Sequence, residues 1–313
     1  MASSTYGGAT YPPAAGGARG AARRRPAWAV ILITGLILWV LTVAITFITA
    51  NANLIPTLVL LGSFLVPVTF VAWAYEHRDQ ATPVEVLFKL FVVGGILGVL
   101  GASVLESYLL HPSWWMFLGV GLIEEGVKLA ALWFLTRHLT IRSIRSGIIL
   151  GATVGFGFAA FESAGYALNA LLTIQGLSLR ALVETEILRG LLAPFGHGLW
   201  TAILGGLLFA GASATGHLRM TGKLFAGYLG VSLLHALWDS MHGIAIVVTF
   251  LLTSTAGQQR LFAMGWIPRP TDEQVQLFTL FSIGGTILTT LVALLWLRVL
   301  WRSAHRPPAH ASH

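Results

Sequence analysis

Apolar residues in this chain neither alternate nor keep to one helical face. They run on for about 20 residues at a time, the length that carries an α-helix across a bilayer core. Segments of this kind lie at roughly 27–50, 54–75, 84–108, 114–135, 146–171, 191–213, 224–251 and 275–301. The pattern predicts an all-α fold: a polytopic transmembrane helical bundle of about eight spans. Two connections are longer. Residues 172–190 place Leu179, Leu182, Val183, Ile187 and Leu191 near helical spacing, with Arg180, Glu184, Glu186 and Arg189 between them. They read as a short amphipathic helix on the outer surface, acting as a connector or as a lid over a lateral path. Residues 252–274, with Trp266, Pro268 and Pro270, read as an interfacial loop. Glycines scattered through the spans read as close helix packing.

Composition agrees with the pattern. The chain has 313 residues, 56% hydrophobic and 10% charged, against about 25% charged in soluble domains. It contains no cysteine, which excludes disulfides, thiol catalysis and thiolate metal sites. The net charge of +7 reads as the basic bias of cytoplasmic loops, and no nucleic-acid partner is expected. With the N-terminus inside, 13 Lys and Arg residues fall on inner segments and 4 on outer ones. That asymmetry predicts both termini in the cytoplasm. Residues 1–26, rich in Gly, Ala, Ser and Pro, are expected to form a disordered cytoplasmic tail. Residues 302–313 form a second cytoplasmic tail. The first apolar run is too long for a signal-peptide core and reads as an anchor.

Charge inside the spans carries the chemistry. One ionised group at the centre of a spanning helix costs about 2.5–3.5 kcal/mol. Yet the fourth span holds Glu124, Glu125 and Lys128 within five residues. Lys128 shares a helix face with both acids. The fifth span carries Phe158 and Glu162 on one face, the sixth His197, and the seventh His235, Asp239 and His242 on one stripe. Glu85 and Glu106 lie near span ends, within reach of the interface. Taken singly, each inner group reads as a packing or ion-pair residue. Four consecutive spans each bearing one are not viable facing lipid, and the estimated depths bring them together in the outer half of the bilayer. Paired carboxylates with two histidines are the ingredients of a water-activating site: a carboxylate base, and imidazoles that bind a metal or stabilise an oxyanion.

These groups stand as Glu124-Glu125-x-x-Lys128, Phe158-x-x-x-Glu162, His197 and His235-x-x-x-Asp239. The set resembles the PrsW family of intramembrane proteases, within a superfamily that includes CAAX prenyl endopeptidases and bacteriocin-processing enzymes. The resemblance covers about residues 84–251, the motif core of a membrane protease domain expected over 27–301. It implies a multi-pass plasma-membrane enzyme of bacteria that hydrolyses a peptide bond in a membrane-anchored protein, such as an anti-sigma factor. It also implies either a divalent metal such as zinc or a metal-free, glutamate-activated water.

The site expected on this basis has Glu124 or Glu125 as the base and Lys128 offsetting one of the two charges. His197 and His235 bind a metal or hold the oxyanion. Glu162 is a further ligand or proton carrier, and Asp239 orients His235. The same buried acids would also serve a proton-coupled transporter, and the same fold a non-catalytic membrane scaffold. A transporter would show proton flux without peptide products. A scaffold would tolerate replacement of both glutamates.

Overall fold

The computed structural model describes residues 25–304 except 81 and 141. The two predicted tails fall largely outside that range. Eleven helices make up nearly all of it. Helix α1 (Ala27–Thr49) turns through an Asn51-capped 3-10 segment into α2 (Ile55–His77). The third span is continuous but changes register: α3 (Val84–Lys89) passes through a π turn at Leu90–Gly94 into α4 (Gly95–Leu109). Next come α5 (Met116–Thr136) and α6 (Ile144–Leu171). A two-residue antiparallel hairpin follows, β1 (Leu172–Thr173) with β2 (Gly176–Leu177), turning at Gly176 with φ 117°. Then come α7 (Leu179–Leu192), a 3-10 turn at Ala193–Phe195, and α8 (His197–Thr215). Helices α9 (Gly222–Thr253), α10 (Ala256–Ala263) and α11 (Asp272–Ser303) complete the chain. Side chains of Ser143, Ser178, Thr221, Thr255 and Thr271 cap the starts of α6, α7, α9, α10 and α11, supplying acceptors for amide groups that have no partner in the first turn.

Seven segments are long and apolar enough to cross a membrane, including α1, α6, α9 and α11 by themselves. Helix α5 is absent from the seven, although its 21 residues suffice to span. Its three charged residues remove it on composition, and all three are buried inside the protein. The expected span from 191 begins instead at His197, because Pro194 sits in a 3-10 turn before it.

Helices α5, α6, α8 and α9 form the centre. Leu129, Leu132, Leu150, Val154, Trp200, Ile203, Leu204 and Val231 make their common core. Helix α6 is the axis, with 83% of its apolar window buried, against 6% for the peripheral α1. Its contact with α8 depends on Gly147, Gly151 and Gly155, one per helical turn. A Cβ at these positions would run into the carbonyl oxygens of Gly205, Thr201 and His197. Bare backbone thus lets the two helices touch, as small residues do in membrane helix pairs.

Helix α7 occupies the connection where a short amphipathic helix is expected, and it packs one face on the bundle. Leu182 is fully buried with Leu58, Ala167 and Leu171, and Trp39 and Val43 pack on the same cluster. Glu186 is also buried, accepting a hydrogen bond from Trp39 Nε1 at 2.7 Å. Of the charged residues of α7, Arg180 and Glu184, paired at 2.7 Å, lie on an open face, as do the apolar Ile187, Leu188 and Leu191.

Candidate active site

The four central helices are the four that carry the sequence motifs. Residues 124, 125 and 128 of α5 meet His197 at the first turn of α8, beside Glu162 of α6 and His235 of α9. Lys128, fully buried, is the hub. Its Nζ lies 3.0 Å from Glu124 Oε2, 2.8 Å from Glu125 Oε1 and 2.8 Å from His197 Nδ1. An ammonium group has three protons to donate, and these three acceptors use them all. The Phe158 ring closes the remaining side, its centroid 4.0 Å from Nζ, within cation–π range.

Proton positions follow from the network. His197 Nδ1 accepts from Lys128, so its proton sits on Nε2, which donates to Glu162 Oε2 at 2.9 Å. His235 differs. Its Nδ1 faces Glu125 Oε1 at 3.0 Å and its Nε2 faces Asp239 Oδ2 at 3.2 Å. Two protons are needed to make both contacts, carried on the ring or on one of the acids. Trp200 stacks on His235 with centroids 4.4 Å apart, and Phe158 packs on His197 at 5.0 Å. The aromatic faces hold both imidazoles edge-on to their acids. Close approach of α5 to α9 rests on Gly121, where any Cβ would meet the Ser232 carbonyl oxygen.

The two glutamates are not equivalent. A cavity of about 530 Å³ is lined by Glu124, Glu162, His197, His235 and Asp239. Glu125 does not line it and is wholly buried behind Lys128. Glu124 engages Lys128 through Oε2, and its Oε1 accepts no hydrogen bond among the described residues.

Three cavity residues escaped the sequence reading. Glu106, set aside as interfacial, lines the wall, and its buried Oε1 has no hydrogen-bond partner. Arg189 of α7 donates from Nε to Ser163 Oγ at 2.7 Å and from a terminal nitrogen to Glu162 Oε2. Tyr166 carries the same guanidinium over its ring at 4.3 Å. Both charged residues sit near span ends, where hydration alone accounts for a charge, so no insertion penalty marked them. By contrast, His242 packs edge-on against Phe278, centroids 4.7 Å apart, and does not line the cavity.

Comparison with known proteins assigns the chain. The family model described as "PrsW family intramembrane metalloprotease" matches residues 82–266. The chain belongs to the PrsW family. It is also 28% identical over 173 residues to a Protease PrsW of Geobacillus kaustophilus, covering 52% of this chain and 70% of that protein. A Protease PrsW of Halalkalibacterium halodurans is 28% identical over 181 residues, covering 52% of this chain and 76% of its own length. No solved structure matches the chain. The PrsW match makes this a peptide hydrolase and a multi-pass bacterial membrane protein.

The PrsW description implies a metal, and the donor chemistry here fits one. Glu124, Glu125, His197 and His235 each offer a ligand atom, all within 4.8 Å of one another. Imidazole and carboxylate are zinc ligands, and Glu125 Oε2 is buried without a hydrogen-bond partner. Glu162, expected as a possible ligand, stands outside this group of four. Its Oε2 is taken by His197 and Arg189. Five carboxyl groups, those of Glu106, Glu124, Glu125, Glu162 and Asp239, stand around Lys128 and Arg189.

Proposed function

We propose that this chain cleaves membrane-anchored, anti-sigma-factor-like proteins with Glu124 as the general base. The carrying observation is that Glu124, and not Glu125, faces the cavity with an oxygen to spare. In the proposed reaction the peptide carbonyl lies in the cavity beside Glu124. Glu124 takes a proton from water as the water oxygen bonds to the carbonyl carbon. The same proton passes to the departing amide nitrogen as the C–N bond breaks, leaving a carboxylic acid and an amine, which then exchange the acid proton to end as carboxylate and ammonium. Positive charge from Lys128, 3.0 Å from Glu124 Oε2, offsets the charge developing on the carbonyl oxygen, and the His235 ring lies 3.8 Å from the same carboxylate oxygen. Glu125 and Asp239 hold His235 from its two sides, and Glu162 holds His197.

A divalent metal held by Glu125, His197 and His235 would polarise the carbonyl and acidify the attacking water, leaving Glu124 as the base. The eight-span count is kept, with α5 as the charged span, both termini on the cytoplasmic side and the protease domain over 27–301. The inner position of the three charges on α5 supports that count.

The test is cleavage of a fluorescent single-span reporter protein in proteoliposomes. Glu124→Gln should slow turnover by about 10²–10⁴-fold, the usual contribution of general acid–base catalysis. A folded Glu124→Gln protein that cleaves at the wild-type rate overturns the assignment.

A further inference from the structure

Helix α7 carries none of the family's motif residues, yet it sends one side chain into the site. Arg189 covers a single face of α6 formed by Glu162, Ser163 and Tyr166, at positions i, i+1 and i+4. Its Nε and one terminal nitrogen reach two acceptors while the guanidinium plane lies on the Tyr166 ring. A planar fork can do this and an ammonium cannot. Glu162 Oε2 is thereby shared between Arg189 and His197 Nε2. From there an unbroken series of contacts runs through His197 Nδ1 to Lys128 at 2.8 Å and on to Glu124 at 3.0 Å.

We propose that Arg189 is a positioning residue. It fixes the Glu162 carboxylate, which sets the His197 ring, and the ring holds the Lys128 ammonium against Glu124. The inference rests on the reading of Glu124 as the base. Helix α7 is anchored independently, by Leu182 in the α2–α6 cluster and by Glu186 on Trp39. Loss of the Arg189 head group alone therefore leaves the helix docked.

The experiment compares wild type, Arg189→Ala, Arg189→Lys, Glu162→Gln and the Arg189→Ala/Glu162→Gln double variant on the same reporter in proteoliposomes. Arg189→Ala should lower kcat by about 10–100-fold, the usual effect of losing such a supporting partner, with KM changed less than about twofold. Guanidinium added below denaturing concentration should restore part of that kcat, and ammonium should not. The double variant should be no slower than the slower single variant, because both changes break the same link.

Wild-type kcat in folded Arg189→Ala, a change confined to KM, or a multiplicative double variant overturns the proposal. If Arg189→Ala does not fold, Arg189→Lys decides. A reduced kcat supports the fork geometry, and a wild-type kcat refutes it. Glu124→Gln, run alongside, separates the two readings. If it is inactive while Arg189→Ala is normal, only the Arg189 inference fails. If Glu124→Gln is active, the base assignment fails with it.

Discussion

Lys128→Met is the sharpest perturbation of the site, because it keeps most of the side-chain volume and deletes only the charge. The ammonium is fully buried and bonded to Glu124, Glu125 and His197, with Phe158 at its remaining side. At separations near 3 Å each ammonium–carboxylate contact has a gross attraction of about 5–6 kcal/mol at an effective dielectric of roughly 20. Desolvation of the three charges offsets most of it. What the substitution removes is compensation: two buried carboxylates remain side by side with no cation between them. Removing one partner of a buried pair costs about 3–5 kcal/mol.

At roughly 2 °C per kcal/mol for a large domain, Lys128→Met should lower the apparent Tm by about 6–10 °C. The measurement is thermal unfolding in detergent with a chelator present, so that no added ion replaces the ammonium. The Lys128→Met/Glu125→Gln variant should melt above Lys128→Met, since the deepest unpaired charge is then gone. A single variant that melts with wild type, or a double variant that melts below the single, would show that Lys128 is not the charge-balancing hub.

Four further outcomes follow from packing and donor sets. Gly155→Ala puts a Cβ against the His197 carbonyl oxygen, so it should cost about 1–3 kcal/mol and reduce kcat/KM about 100-fold through displacement of His197. Gly165→Ala on the same helix meets nothing within 4 Å and should leave activity and Tm unchanged. Trp39→Phe strips the buried Glu186 carboxylate of its donor and should destabilise by about 1–3 kcal/mol, read as a lower Tm. Elemental analysis of the purified wild type should find about one divalent ion per chain, and His235→Ala should lose it. Equal metal content in the two proteins would remove His235 from the donor set.

The motif residues were legible because lipid is an intolerant solvent. Glu124, Glu125 and Lys128 stand in an apolar helix, where each charge needs a partner. The same penalty on Glu162, His197, His235 and Asp239 pointed them inward, and all four line one cavity. Helix boundaries were less legible. The π turn at Leu90–Gly94 leaves an apolar run intact, and hydropathy ignores the break at Pro194–Gly196 that places His197 at the start of α8.

Arg189 and Glu106 mark where that reasoning stops. The insertion penalty fades toward the interface, so a charge there has two explanations, water or a partner. In α7 the four charged residues divide between them. Arg180 and Glu184 pair on an open face, whereas Glu186 and Arg189 turn inward to Trp39 and Glu162. Spacing does not separate the two classes: Glu186 and Arg189 share a face as readily as Arg180 and Glu184 do. The distinction comes from what lies opposite, namely the packing of α7 on α2 and α6 by way of Leu182. Supporting residues of this kind therefore emerge only with the tertiary fold, while residues at the bilayer centre announce themselves by the energy of being there.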